Sequence, residues 1–164
     1  MLRVKDYLRD YSTAAFRFYA RLGRPTYEEM KKVVYDAAFE SSRRELINDK
    51  NIKKPTQQAV INAEKAVEAL AGELCDILAV EKVLARMQPE MIKAVEIIYF
   101  TDAERELMYG DITARVHKTE SVIPASESQI YRWLKQARMM FAVERGLRLP
   151  SSDSSEIDPY KHGE

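Results

Sequence analysis

The densest set of side chains able to do chemistry lies in SESQIYRWLKQARMMF, residues 126–141. It holds Ser128, Gln129, Tyr131, Arg132, Lys135 and Arg138, and Lys118 lies a short way upstream. At about 100° per residue, Ile130, Trp133, Leu134, Ala137 and Phe141 gather on one side of a helix, while Ser128, Arg132 and Lys135 point away from it. The apolar side asks for a core. The polar side suits an anion with a readable edge: Arg grips guanine O6 and N7 in bidentate fashion, Gln pairs with adenine, and Ser, Lys and helix-end amides hold phosphates. A basic face opposite an apolar stripe has a commoner meaning, which is simple solvation, so this pattern alone does not establish DNA contact.

The elements that would position these side chains are a short helix and a turn. Ser126 with Gln129 has the form of a capping box and sets the helix start just after Pro124. A brief helix from about Asp111 to Val116 is expected before it, giving a helix-turn-helix order that sets the second helix in the major groove. On this reading nine residues, His117 to Ala125, separate the two helices, where a compact motif has a turn of three or four. The loop before the first helix is long as well, and these insertions either add a DNA contact, through His117, Lys118 and Thr119, or mark a module that has drifted to another use.

Catalytic patterns are missing. The five glycines are scattered, so no glycine-rich phosphate cradle can be assembled. His117 and His162 are far apart and near no cysteine or clustered carboxylates, so zinc-ligand spacing is absent and no metal or cofactor is expected. Glu28 and Glu29 sit where acidic residues favour the first turn of a helix. No strand-turn-helix context surrounds any serine. The expectation is a protein that is not an enzyme. The single cysteine, Cys75, cannot form an intramolecular disulfide and is expected to be a buried small hydrophobe.

With 46% hydrophobic and 32% charged residues, the 164-residue chain has the balance of an ordinary globular protein. No apolar run is long enough for a membrane helix, and charge interrupts the N-terminal segment too often for a secretory signal, so a cytoplasmic location is expected. Net charge is zero but unevenly placed: +4 over residues 1–24, −4 over 25–109, +3 over 110–149 and −3 over the last fifteen.

Apolar periodicity predicts helices almost throughout. Val4, Tyr7, Leu8, Tyr11, Ala14, Ala15, Phe18, Tyr19 and Leu22 form one stripe, ended by Gly23 and Pro25, with Lys5, Arg9, Arg17 and Arg21 expected on its outer face. Thr26 with Glu29 forms a capping box for a helix reaching about Leu46. From Thr56, the positions Val60, Ala63, Val67, Leu70, Leu74, Ile77, Glu81 and Leu84 follow heptad spacing, consistent with a bundle helix or a self-complementary dimer seam, and Gly72 is a point where the run could divide. Pro89 suits the first turn of a helix through Tyr99, and TDAERELMYG is expected to be a long loop. The fold class is therefore all-α, a helical bundle of six to eight helices. Residues 1–50 form an N-terminal helical hairpin, 56–149 a helical region with the C-terminal helix-turn-helix, and 150–164 a flexible acidic tail.

The segments AVEKVLARMQPEMIKAVEIIYF, GDITARV and SESQIYRWLKQARMMFAVERGLRL resemble the C-terminal domain of the RinA/ArpU-type phage late-transcription regulators. That domain is similar to the promoter-reading region of bacterial sigma factors. The N-terminal DYLRDYSTAAFRFYARLGRPTYEEM resembles uncharacterised phage and prophage proteins with the same C-terminal half. The resemblance implies binding to double-stranded DNA and control of phage gene expression. It places Trp133 at the large apolar position of the recognition helix and Arg132 and Lys135 at its exposed basic positions.

Two other classes fit the same residues. A packaging component such as a small terminase subunit also joins a small DNA-binding module to oligomerising helices. An RNA polymerase-binding module without DNA contact is favoured by the zero net charge and the aromatic first helix. A homo-oligomer is expected in the first two cases, and a membrane partner in none.

Overall fold

A computed structural model describes residues 4–51 and 53–147, with side chains from Tyr7 onward. The proposed acidic tail at 150–164, His162 and the side chain of Lys5 lie outside the described residues. Among the described residues there are seven α-helices, one π-helical turn and no strand. The helices are α1 (Val4–Arg21), α2 (Tyr27–Ile47), α3 (Pro55–Ala69), α4 (Ala71–Arg86), α5 (Pro89–Val95), α6 (Asp111–Val122) and α7 (Glu127–Arg145). The π-helical turn, Glu96–Phe100, directly continues α5. The chain is all-α, as its periodicity predicts.

Local signals explain most boundaries. Thr26 Oγ1 accepts from Glu29 N–H at 3.1 Å and Glu29 Oε2 accepts from Thr26 N–H at 3.1 Å, a complete capping box that starts α2. Pro55 and Pro89 occupy first-turn positions, where a missing N–H costs nothing. The run from Thr56 divides as its glycine suggests, although the break falls at Leu70, two residues before Gly72.

The main core is built by α1, α4, α5 and α7, with the π turn and α6 closing one end. Phe16, Ile77, Val80, Val83, Val95, Ile98, Val116, Ile130, Leu134 and Phe141 are buried together, and Phe16 stacks on Tyr99 at 5.6 Å between ring centroids. Leu74 and Ile77 of the heptad run belong to this core, so that half of the expected dimer seam is used within the chain. Glu81, the weak seam position, accepts from Tyr27 N–H at 2.9 Å and anchors the start of α2 to α4.

Three expectations need correction. The first two helices do not form an N-terminal hairpin: α1 packs on α4, α7 and the π turn, while α2 packs along α3. Residues 27–69 are thus the hairpin, because the aromatic stripe of α1 needs a larger apolar surface than α2 offers. Cys75 is exposed, since it lies one residue beyond the buried Leu74 and so rotates off the core stripe.

Arg17, expected on a solvated face, is only 5% exposed. Its Nη1 donates to the carbonyls of Tyr99 at 2.9 Å and Thr101 at 3.2 Å, and its Nη2 to those of Asp102 at 2.7 Å and Arg105 at 2.6 Å. The end of a helix leaves its last carbonyls without partners, and here that end lies against α1, so a forked donor from α1 is drawn inward. Arg115 repeats the device from α6, donating to Ile98 O at 2.7 Å. Burial, then the neighbouring cations Arg115, Arg105 and Arg21, push the Arg17 guanidinium below its ordinary value.

Candidate nucleic-acid interface

α6 and α7 are joined by a turn far shorter than the sequence spacing suggests. The first helix does not end at Val116 but runs to Val122, leaving Ile123, Pro124 and Ala125 before the Ser126 cap. The nine-residue separation is therefore a three-residue turn, the length of a compact helix-turn-helix. The signal was present in the chain. Val116, Thr119 and Ile123 recur at three- and four-residue steps and are all buried, and Pro124 drives the preceding residue out of helical conformation. Ile123 is accordingly extended, with φ −122° and ψ 150°.

Each junction in the turn is tied down. Ile123 N–H donates to Thr119 O at 3.0 Å and closes α6, while Ala125 N–H donates to Ile123 O at 2.8 Å. Thr119, expected to offer a DNA contact, is instead fully buried, and its hydroxyl donates back to Arg115 O at 2.7 Å, which satisfies it away from water. Ser126 Oγ accepts from Gln129 N–H at 3.2 Å, so the Ser126 half of the second capping box forms. Ile130, Leu134, Ala137 and Phe141 fix the rotation of α7 about its axis by inserting into the core. Gly146, with φ 72°, ends the helix: its N–H donates to Val143 O at 3.1 Å and Leu147 N–H reaches back to Ala142 O at 2.9 Å.

With α7 held this way, Ser128, Tyr131, Arg132 and Lys135 are exposed on its first turns, and Lys118 is exposed on α6. Gln129 is half-buried beside its cap. Arg138 is placed differently from the other expected contacts: it is half-buried and its Nη1 donates to Tyr99 Oη at 2.9 Å, tying α7 to the π turn. Trp133 is half-buried against the edge of the core rather than inside it, and Leu134 is the large residue that α7 buries at that level.

The fold also corrects the isolation of His117. One ligand atom each from His117, Glu120 and Glu127 lie within 4.8 Å of one another across the turn, with His117 and Glu120 exposed and Glu127 half-buried. The first two share a helix face at three-residue spacing, and the tight turn carries Glu127 to them. An imidazole and two carboxylates are a donor set that a divalent cation can use, and they are equally an ordinary polar cluster on an exposed turn.

At the opposite end of α7, Arg145 Nε donates to Asp76 Oδ1 at 2.6 Å, and Tyr11 Oη donates to the same oxygen at 2.8 Å. This half-buried network joins α1, α4 and α7. Burial, followed by the hydrogen bond to Asp76, raises the Tyr11 phenol above its ordinary value, and the Asp76 carboxylate raises Arg145. Loop 101–110 enters α6 through Asp111, whose Oδ2 accepts from Met108 N–H at 2.7 Å and from Arg105 at 3.0 Å. Those bonds, the backbone one foremost, hold the Asp111 carboxyl below the usual carboxylate range. No protein-family profile, curated protein or solved structure matches the chain.

Proposed function

We propose that this protein is a sequence-specific, double-stranded DNA-binding regulator of phage or prophage transcription, acting as a homo-oligomer through α6 and α7. The observation that carries the reading is the three-residue turn, which presents Ser128, Tyr131, Arg132 and Lys135 on the open face of a capped helix with its rotation fixed by Ile130 and Leu134. A helix held like this meets base edges with its first turns and phosphates on either side. The resemblance to the RinA/ArpU-type regulators supplies the biological setting. Of the two departures from that pattern, the nine-residue separation becomes a three-residue turn, while the long loop at 101–110 before α6 is retained.

The polymerase-only reading drew on the aromatic first helix, yet Tyr11 and Phe18 pack against the core. They are engaged within the fold before any partner arrives. RNA polymerase stands as a second partner of a DNA-bound protein.

Arg132 lies less than two turns from the capped start of α7 and acts in base choice, whereas Lys135, one turn on, acts in general affinity. Binding sequences are first selected from random duplex DNA. On the selected site Arg132→Ala loses about 1–3 kcal/mol and little on random DNA, while Lys135→Ala weakens both alike and lowers the salt slope by about one. Folded variants that bind both DNAs as the parent does refute the assignment of α7 as the recognition helix.

A further inference from the structure

We infer that the hairpin of α2 and α3 is a dimerisation arm, and that the surface it closes on is the same hairpin of a second copy of this chain. The inference rests on the homo-oligomeric part of the proposed function and not on DNA contact. It gives the oligomer a surface that the heptad spacing misplaced, because the Leu74 and Ile77 end of that seam lies inside the protomer's own core.

The packing of the arm is incomplete in one protomer. None of the 21 residues of α2 is buried, and α3 buries only Ala59 and Ala63. The arm meets the main core at its base, through Tyr27, Met30 and Val67, whereas Tyr35, Phe39, Leu46 and Val60 are not among the side chains that reach that core. All four are half-buried, and the rings of Tyr35 and Phe39 stack on each other at 6.3 Å. Two helices alone cannot cover both margins of their apolar stripes, and helices in water draw most of their stability from such packing.

The open margin is coherent. Tyr35, Phe39 and Leu46 are spaced by four and seven residues on α2, and Val60 and Val67 by seven on α3. In an antiparallel pair, the residues on the same rotational side of each contact stripe meet on one edge of the seam, which puts Tyr35, Phe39, Leu46 and Val60 on a single open edge and Val67 at its base, where the arm meets the core. Arg43 borders that edge. Its Nη2 holds Glu40 at 3.3 Å, while its Nε is the one buried side-chain nitrogen or oxygen without a partner among the described residues.

Charge and area select the occupant. Residues 27–69 contain eight Lys and Arg and eight Asp and Glu, a balance that gives nucleic acid no net attraction and a second copy no net repulsion. α2 is about 30 Å long, and two helices side by side are about 20 Å wide, so the face measures on the order of 500 Å² before side-chain corrugation. That approaches the roughly 800 Å² per partner of a stable interface. Two such faces related by a two-fold axis close a four-helix bundle in a self-complementary contact that ends at the dimer.

The test is sedimentation of the full chain without DNA over a range of concentrations. The parent protein is expected to be a dimer, and Phe39→Glu and Val60→Glu to be monomers with the parent's far-UV circular dichroism. Val143→Glu, on a residue 75% exposed at the far end of α7, is expected to remain dimeric. Where the charged variants fail to fold, hydrogen exchange of the parent decides: amides of 35–47 and 57–66 lose protection on dilution while those of α7 do not. A parent that stays monomeric at its highest soluble concentration overturns the inference. So does a dimer retained by folded Phe39→Glu and Val60→Glu, or arm protection that is independent of concentration. Loss of DNA binding in Arg132→Ala leaves the sedimentation result untouched, so the two readings fail separately.

Discussion

Replacing Arg17 by Met tests whether a buried guanidinium holds the connection from the π turn to α6. Methionine keeps much of the apolar stem and removes the forked donor. Two effects oppose each other. Desolvation and three nearby cations disfavour the charge, and exchanging a buried ion for an apolar side chain is often neutral or stabilising. Here, though, the partners are carbonyl oxygens with no charge to remove, and they lose their donor. A hydrogen bond from a charged donor is worth about 1.5–3 kcal/mol. Only the bond to Tyr99 O is fully buried; Thr101, Asp102 and Arg105 are exposed residues whose carbonyls water can reach, so their share is discounted heavily. The net expectation is a loss of about 2–4 kcal/mol, not the sum of four bonds. Urea unfolding followed by circular dichroism measures it, and hydrogen exchange should show faster exchange across 101–110. Arg17→Lys, with the charge but not the planar fork, should fall between the two. A loss under about 1 kcal/mol with unchanged loop protection refutes the clamp.

In α7, Leu134→Ala should cost about 3 kcal/mol and the half-buried Trp133→Ala about 2, an order that reverses their sizes because burial decides it; equilibrium denaturation of both variants checks this. Asp111 has a depressed folded pKa, so its contribution is present above the ordinary carboxylate value of about 3.9 and is lost as pH falls through the lower folded value. Exchange of the 105–111 amides, corrected for intrinsic rates, should therefore rise on acidification in the parent and be pH-independent in Asp111→Asn. Tyr11 has a raised folded pKa, so its contribution is full below 10.0 and fades as pH rises through the folded value. Tyr11→Phe should lose about 0.5–1.5 kcal/mol at neutral pH, measured by thermal unfolding.

Helices were legible because their causes are local. The stripe of α1, the Thr26 box, Pro89 in a first turn and the apolar face of α7 each act within a few residues, and each element forms where those signals place it. The candidate recognition face was legible for the same reason: Ile130, Leu134 and Phe141 oblige Arg132 and Lys135 to face outward. The end of α6 was also written locally, in Val116, Thr119, Ile123 and Pro124, but a run of polar residues hid the stripe. What tertiary structure alone decided is who packs against whom. Periodicity shows that a helix has an apolar side and says nothing about which helix covers it, so α1 joined the C-terminal core and α2 was left to α3. The burial of Arg17 follows from that choice, since only the docking of α1 against the π turn brings the guanidinium to carbonyls 82 to 88 residues away in sequence.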